Sequence, residues 1–392
     1  MSAFPAQENA LPSQIAAWLG KVAVVEAEGI TAERGLIEAF AVAVEDANPL
    51  FWDDARAAEI AGGVIAPPAM LSTWTRPHGW SPAGPPKQRP LELHFRLKEL
   101  FALPKAVVIE TEAAWHEPVR PGDRVRAEQI LDQVGPLVEN RLGRGRKWTI
   151  GIRYARMDGV LLGVETLRFF AYGGEGAKVP STVAEQPSPP PSLPPPPKAA
   201  LSMLAASGRG GGTRSEALPL DGGGLGGGDA TRLAGIAIPS LTIQMTATRI
   251  VMGAAASRDW QPQHHDPRHA KAAGLPDIIL NAPSQSGWLG RTLTDWAGPE
   301  ARIGRMRFRM VKPIAAGDTI IIQGLVEAAA DSTQGWRWLR LALKITVGDE
   351  LATDAASLLA IPLTECPWRA DSHAWHIPEW DLSGRDMQEV FG

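Results

Sequence analysis

The sequence predicts an α+β protein of two similar halves, each an antiparallel sheet wrapped around one apolar helix. Three observations carry that expectation. A proline- and glycine-rich stretch divides the chain of 392 residues near its middle. The flanks on either side repeat three features in the same order. Each flank then closes with strand-like runs broken by an Asp-Gly or Gly-Asp turn.

The dividing stretch, residues 177–232, carries EQPSPPPSLPPPPK and then GRGGGTRSEALPLDGGGLGGGD. Its proline part reads as extended and semi-rigid, its glycine part as flexible. Such a composition buries too little apolar surface to offset the entropy of ordering it. It is read as a linker between a first half, 1–176, and a second half, 233–392. The glycine run is not a phosphate loop, because no Gly-Lys-Ser/Thr follows it and no strand precedes it.

The first repeated feature is an Ala-rich helix that ends in an Asp–Pro element. It reads LIEAFAVAVEDANPLFWDD (Leu36 to Asp54) and IVMGAAASRDWQPQHHDP (Ile250 to Pro267). Aligning Asp46 with Asp259 puts Pro49 opposite Pro262 and Phe51 opposite His264. A helix apolar on most of its circumference demands burial, so the sheet is expected to wrap around it. The second feature, GGVIAPPAMLSTW (Gly62 to Trp74) and PDIILNAPSQSGWL (Pro276 to Leu289), reads as a turn followed by a helix with proline in its first turn. In the third, His116 to Val134 and Met310 to Ala328, proline stands four positions before the glycine of a Gly-Asp turn flanked by strands. Strand-like runs from Trp148 to Tyr172 and Trp336 to Pro362 end the halves. Extra residues from about His78 to Pro104 are expected to form an insertion or a long loop.

Composition excludes several classes. Lys and Arg number 39 against 43 for Asp and Glu, a formal charge of -4, which lacks the basic surface that a nucleic-acid binder needs. The single cysteine, Cys366, rules out an intramolecular disulfide and a cysteine-based zinc site. The N-terminus has no basic start followed by an apolar run, and no apolar stretch is long enough to span a bilayer. A cytoplasmic protein with no membrane partner is expected.

The chemistry concentrates in Asp259-Trp260-Gln261-Pro262-Gln263-His264-His265-Asp266. A carboxylate and an imidazole lie five residues apart across a proline. If the proline stops the helix, both side chains can turn toward one cavity. The stretch resembles the Asp-x-Asn-Pro-x-His signature of the MaoC-like (R)-specific enoyl-CoA hydratases. The first half resembles the N-terminal, hydratase-like domain of the two-domain members. There Asp46, Asn48 and Pro49 are kept, but Phe51 occupies the histidine position.

That resemblance implies a double hotdog, a pseudo-dimer within one chain that completes its site without a second copy. Whether two chains pair again is open. The implied reaction is reversible addition of water to a trans-2-enoyl thioester, giving an (R)-3-hydroxyacyl thioester. His264 would act as the base, and Asp259 would orient the water and shuttle the proton. The turn Asn281-Ala282-Pro283-Ser284 falls where the family supplies a backbone donor to the thioester oxygen. Asn281, Ala282, Ser284 and Gln261 are therefore expected around the substrate, with the N–H of Ala282 as the oxyanion donor. The first half would shape the acyl tunnel. The partner is an acyl-CoA small molecule, and no separate cofactor is expected, since coenzyme A belongs to the substrate. Three positions depart from the family pattern: Gln261 for Asn, Arg258 for Gly before the aspartate, and Asn281-Ala282 for His-Gly. They suggest a subgroup for bulky acyl chains.

Other features carry alternative readings. His265 and His269 share a helix face with metal-ligand spacing, but no third ligand motif accompanies them, and no metal is expected; Asp266 ahead of Pro267 reads as a helix cap. Trp52, Trp74, Trp260, Trp288 and Trp296 pack a core or line an acyl tunnel. Arg305, Arg307 and Arg309 alternate along a strand, as a solvated face or as a cleft for coenzyme A phosphates; Arg305 and Arg307 are the candidates for the latter. Two other functions compete with hydration: a hotdog thioesterase, and a non-catalytic subunit that binds acyl chains.

Overall fold

The computed structural model describes residues 10–27, 29–80, 82, 84, 89–173, 229–363, 368 and 375–380. Residues 177–228 of the expected linker, and Cys366, lie outside the described residues; Ala230–Leu233 forms a 3-10 turn.

The first half opens with α1 (Ser13–Trp18), β1 (Val22–Glu26) and α2 (Arg34–Ala43). A 3-10 turn at Pro49–Phe51 leads to α3 (Asp54–Ala61) and a longer 3-10 helix at Pro68–Thr75. Then come α4 (Glu92–Leu100), β2 (Lys105–Trp115), β3 (Val125–Asn140), β4 (Gly143–Arg156) and β5 (Leu161–Gly173). The second half has β6 (Ala237–Gln244), α5 (Ala247–Ala256), a 3-10 turn at Pro262–His264, α6 (Pro267–Ala272) and α7 (Ala282–Ala297). It closes with β7 (Arg302–Met310), β8 (Thr319–Asp331), β9 (Trp336–Val347) and β10 (Glu350–Pro362).

All ten strands form one antiparallel sheet in the order β1-β3-β4-β5-β2-β7-β10-β9-β8-β6. Each half therefore has the same internal strand order, and the two meet edge to edge at β2 and β7. There Thr111 pairs with Phe308, Glu112 with Arg307 and Ala113 with Met306. Ala114 pairs with Arg305, and this antiparallel seam between halves of like strand order relates them by a pseudo-two-fold axis. One apolar core runs through both halves.

Four details differ from the sequence reading. Strands β1 and β6 precede the Ala-rich helices; both are short, and Pro239 interrupts the apolar pattern of the second. The Ala-rich helices α2 and α5 are ten residues each and pack on one another across the two-fold. Their small side chains permit that close approach but give a sheet little to hold. The long helix of the second half is α7, which buries Trp288, Leu289 and Leu293 and contacts β6 and β7. In the first half the stretch matching the start of α7 is the 3-10 helix at Pro68–Thr75, against which α7 packs. Finally, the segment read as an insertion contains α4, which buries Leu93 and Leu97.

Helices α5 and α7 touch at Gly253. A Cβ placed there would lie 2.2 Å from Ser284 Oγ and 3.2 Å from its Cβ. Alanine at this position should overpack the contact by about 1–3 kcal/mol, outweighing its better helix propensity of about 1 kcal/mol. Urea denaturation of Gly253→Ala should show a lower midpoint, partly restored by adding Ser284→Ala.

Candidate active site

Helices α2 and α5 end in the same way, and this ending delivers the two aspartates. Glu45 and Arg258 adopt left-handed backbone angles, with φ of 52° and 56°. The N–H of Asp259 donates to Ala254 O (2.8 Å) and that of Arg258 to Ala255 O (3.0 Å). Asp46 and Glu45 repeat this with Ala41 and Val42, at 2.8 and 3.1 Å. Such a Schellman ending turns the chain sharply off the helix. The helix is thus stopped at Arg258, before the aspartate. Pro262 instead starts the 3-10 turn that carries His264.

Asp259 and His264 are brought together, and both are buried. His264 Nδ1 lies 2.8 Å from the carbonyl of Ile279. A carbonyl only accepts, so Nδ1 carries the hydrogen, and in the neutral ring Nε2 is then the acceptor. That Nε2 stands 3.6 Å from Asp259 Oδ2. Asn281 Nδ2 donates to Asp259 Oδ2 (3.2 Å) and to Ser257 Oγ (2.8 Å). Its Oδ1 accepts the N–H of Ser284 and caps α7. The Asn281 side-chain amide thus holds Asp259 and caps the helix end. Ala282 follows as the first residue of α7. Its N–H makes no hydrogen bond among the described residues, and Pro283 beside it has none to offer. A helix N-terminus with a free donor thus stands next to the pair.

Other expected residues lie elsewhere. Gln261 is exposed, and its Oε1 accepts from Gln263 Nε2 at 2.9 Å. Ser284 Oγ is buried against Gly253, facing α5. Neither side chain makes a hydrogen bond to Asp259 or His264 among the described residues. Arg305, Arg307 and Arg309 do share a strand face, but it is opposite to the one bearing Met306 and Phe308. Met306 meets Ser286 of α7. Arg305 pairs with Glu112 and Glu379, each at 3.5 Å, and Trp380 lies over Arg305 and Arg307. Arg305 and Arg309 are ion-paired and Arg307 lies against Trp380, all on the strand face opposite to Met306 and Phe308. Asp266 caps α6, accepting the N–H groups of Arg268 and His269. His265 and His269 are exposed, and among the described residues no cluster of three His, Cys, Asp or Glu is placed to hold a metal. Trp74 and Trp288 are core residues, whereas Trp260 is exposed.

Sequence reasoning missed Arg76. It belongs to the first half, directly after the 3-10 helix, yet its Nη1 donates to Ser257 O (3.2 Å) and lies 3.7 Å from Asp259 Oδ1. Nothing in STWTRPHGW signals this, because the contact spans more than 180 residues.

The description "MaoC like domain" matches residues 237–336, and "FAS1-like, dehydratase domain region" matches residues 17–136. The chain is 37% identical over 117 residues to the beta subunit of a 3-oxo-4,17-pregnadiene-20-carboxyl-CoA hydratase of Mycobacterium tuberculosis, covering 88% of that subunit and 30% of this chain. It is 34% identical over 113 residues to the alpha subunit of the same name, covering 35% of that subunit and 28% of this chain. A solved MaoC-like dehydratase superposes with a TM-score of 0.59 at 17% identity, over 87% of this chain and 97% of that one. A Mycobacterium tuberculosis protein described as a double hotdog gives 0.52 at 14% identity, over 86% and 95%. The fold is a double hotdog of the hydratase and dehydratase type. The chain belongs to the MaoC-like dehydratase family and is a hydro-lyase. No helix among the described residues is long and apolar enough to cross a membrane.

The first half keeps a relic of the same geometry. Asn48 caps its 3-10 turn and donates its N–H to Asp46 (2.9 Å), while Phe51 fills the place of the imidazole. A cavity opens at this end, lined by Asp46, Phe51, Leu71, Trp115, Met306 and Gly287 among others. Burial raises the Asp46 carboxyl to about 6, against the lowering effects of the Asn48 N–H and the more distant Arg291. A folded-state value above the unfolded one favours the folded protein when the group is protonated. That contribution is complete below about pH 4 and lost as pH rises through 6. Asp46→Asn should therefore gain stability over the parent by up to about 3 kcal/mol between pH 4 and 7. Denaturant midpoints across that range check it.

Proposed function

We propose that the chain hydrates a trans-2-enoyl-CoA to a 3-hydroxyacyl-CoA, reversibly and with (R) stereochemistry, using Asp259 and His264. One observation carries this reading: His264 Nε2 and Asp259 Oδ2 face each other 3.6 Å apart, and with the ring neutral both are acceptors. Two acceptors at that distance do not bond each other. A water molecule donating one hydrogen to each satisfies both at ordinary lengths near 2.8 Å. The oxygen of that water then keeps its lone pairs for the β-carbon of the substrate.

In this reading His264 Nε2 takes a proton as the water attacks, and Asp259 orients the water and shuttles the proton that reaches the α-carbon. The Nδ1–H bond to Ile279 O fixes the ring and its tautomer. Asn281 holds the Asp259 carboxylate in place. The α-carbon gains electron density as the water adds, and the charge moves to the thioester oxygen. The N–H of Ala282, at the positive end of α7, would stabilise it.

The acyl group is proposed to be large. Both matched curated relatives carry the name of one steroid side-chain CoA hydratase, in its alpha and beta subunits. Similarity to both supports a bulky polycyclic enoyl-CoA as substrate. A cytoplasmic setting fits a chain with one cysteine.

Crotonyl-CoA and a steroid-sized enoyl-CoA test the reaction. Loss of the enone absorbance without release of thiol is the expected outcome; release of thiol would mean hydrolysis instead. Asp259→Asn and His264→Ala should each lower turnover at least about 100-fold, the usual scale for an acid–base group. Undiminished turnover in both would remove the site assignment.

A further inference from the structure

The pseudo-two-fold relates more than the two aspartates. It also relates two arginines, each reaching from one half into the other. Arg76 Nη1 donates to Ser257 O (3.2 Å), the carbonyl two residues before Asp259. Arg291 Nη1 donates to Val44 O (3.1 Å), the carbonyl two residues before Asp46. Both side chains are largely buried, at 18% and 17% exposure.

Beyond this shared contact the halves differ, and the left-handed residue before each aspartate decides how. In the first half that residue is Glu45. It pairs with Arg291 at 3.7 Å and with Arg249, and Asp295 takes Arg291 from the other side at 3.0 Å. Arg291 is thus drawn away from Asp46. In the second half the residue is Arg258, a cation that offers Arg76 no pairing. Its guanidinium instead donates to the carbonyls of Arg76 (3.2 Å) and Pro77 (2.9 Å), which anchors the segment bearing Arg76. A left-handed arginine costs roughly 1–2 kcal/mol relative to an ordinary conformation. The Arg76 guanidinium is left 3.7 Å from Asp259 Oδ1, the oxygen not engaged by Asn281.

We infer that Arg76 of the first half is a positioning residue for Asp259, so that the single reaction centre is assembled by both halves. This rests on the reading of Asp259 as a site residue. The cation and Asn281 grip opposite carboxylate oxygens, which leaves the carboxylate one orientation toward His264. The half that lost its imidazole is thereby retained for a role in the site of the other.

The test is a double-mutant cycle read in steady-state kinetics on an enoyl-CoA. Arg76→Ala should lower kcat about tenfold while changing KM less than threefold, and Arg76→Lys should recover part of the loss. In the Asp259→Asn background Arg76→Ala should lower kcat no further, because the group it positions is already gone. Glu26 and Glu165 of the first-half sheet also feel the charge of Arg76. An effect through them, or through general destabilisation, would persist in that background. Arg291→Ala, which breaks the equivalent contact at Asp46, should leave kcat within threefold of the parent. Additive losses from Arg76→Ala and Asp259→Asn, or an Arg76→Ala enzyme with parental kcat, would overturn the inference. Neither outcome touches the hydratase reading, which is decided separately by loss of the enone absorbance without release of thiol and by the turnover of Asp259→Asn and His264→Ala.

Discussion

The edge-to-edge pairing of β2 with β7 is the constraint on which the rest depends. Antiparallel pairing of these edges merges two five-stranded halves into one sheet and imposes a two-fold relation between them. That relation leads to the packing of α2 on α5, the placement of α7 against the 3-10 helix of the first half, and the reach of Arg76 into the opposite site. Unpaired sheet edges invite association with other chains. Here each half uses its own edge to bind the other, as two copies would in a dimer.

Two halves built on one plan have diverged in chemistry through few substitutions. Phe51 stands at the position that His264 holds in the second half, and the aspartate beside it, lacking an imidazole partner, sits in a protein environment that favours its protonated form. The backbone is less altered than the side chains. Both aspartates leave their helices through the same left-handed turn, with matching hydrogen bonds. The geometry that presents a carboxylate therefore outlasts the chemistry that needs it. A further difference is that the stretch matching the start of α7 is a 3-10 helix in the first half. A 3-10 helix is narrower and rarely runs long, which suits a strap rather than a core element.

Much of the site was legible in the sequence. Asp259 and His264 fall in one local segment, and a proline between them signals a change of direction that aligns them on one side. The break itself comes earlier, at Arg258, because a left-handed residue ends a helix without announcing itself unless it is glycine. Gln261, Ser284, Arg305 and Arg307 were placed by proximity in sequence or by residue type. The structure gives each of them a nearer partner: Gln263, Gly253, Glu112 with Glu379, and the Trp380 ring. Local spacing reveals which residues share a turn, and it does not reveal which way that turn faces.

By itself the sequence determined the two-fold plan, the α+β class, the half that bears the histidine and the two residues that meet there. Each of these is written in short-range patterns: repeated motifs, hydrophobic periodicity and the positions of proline and glycine. Only the tertiary structure decided which helix the sheet holds, that α2 and α5 pack on each other, and that Arg76 stands beside Asp259. Those contacts join residues far apart in the chain. Pairing and packing of the whole sheet set them, and no local preference specifies them in advance.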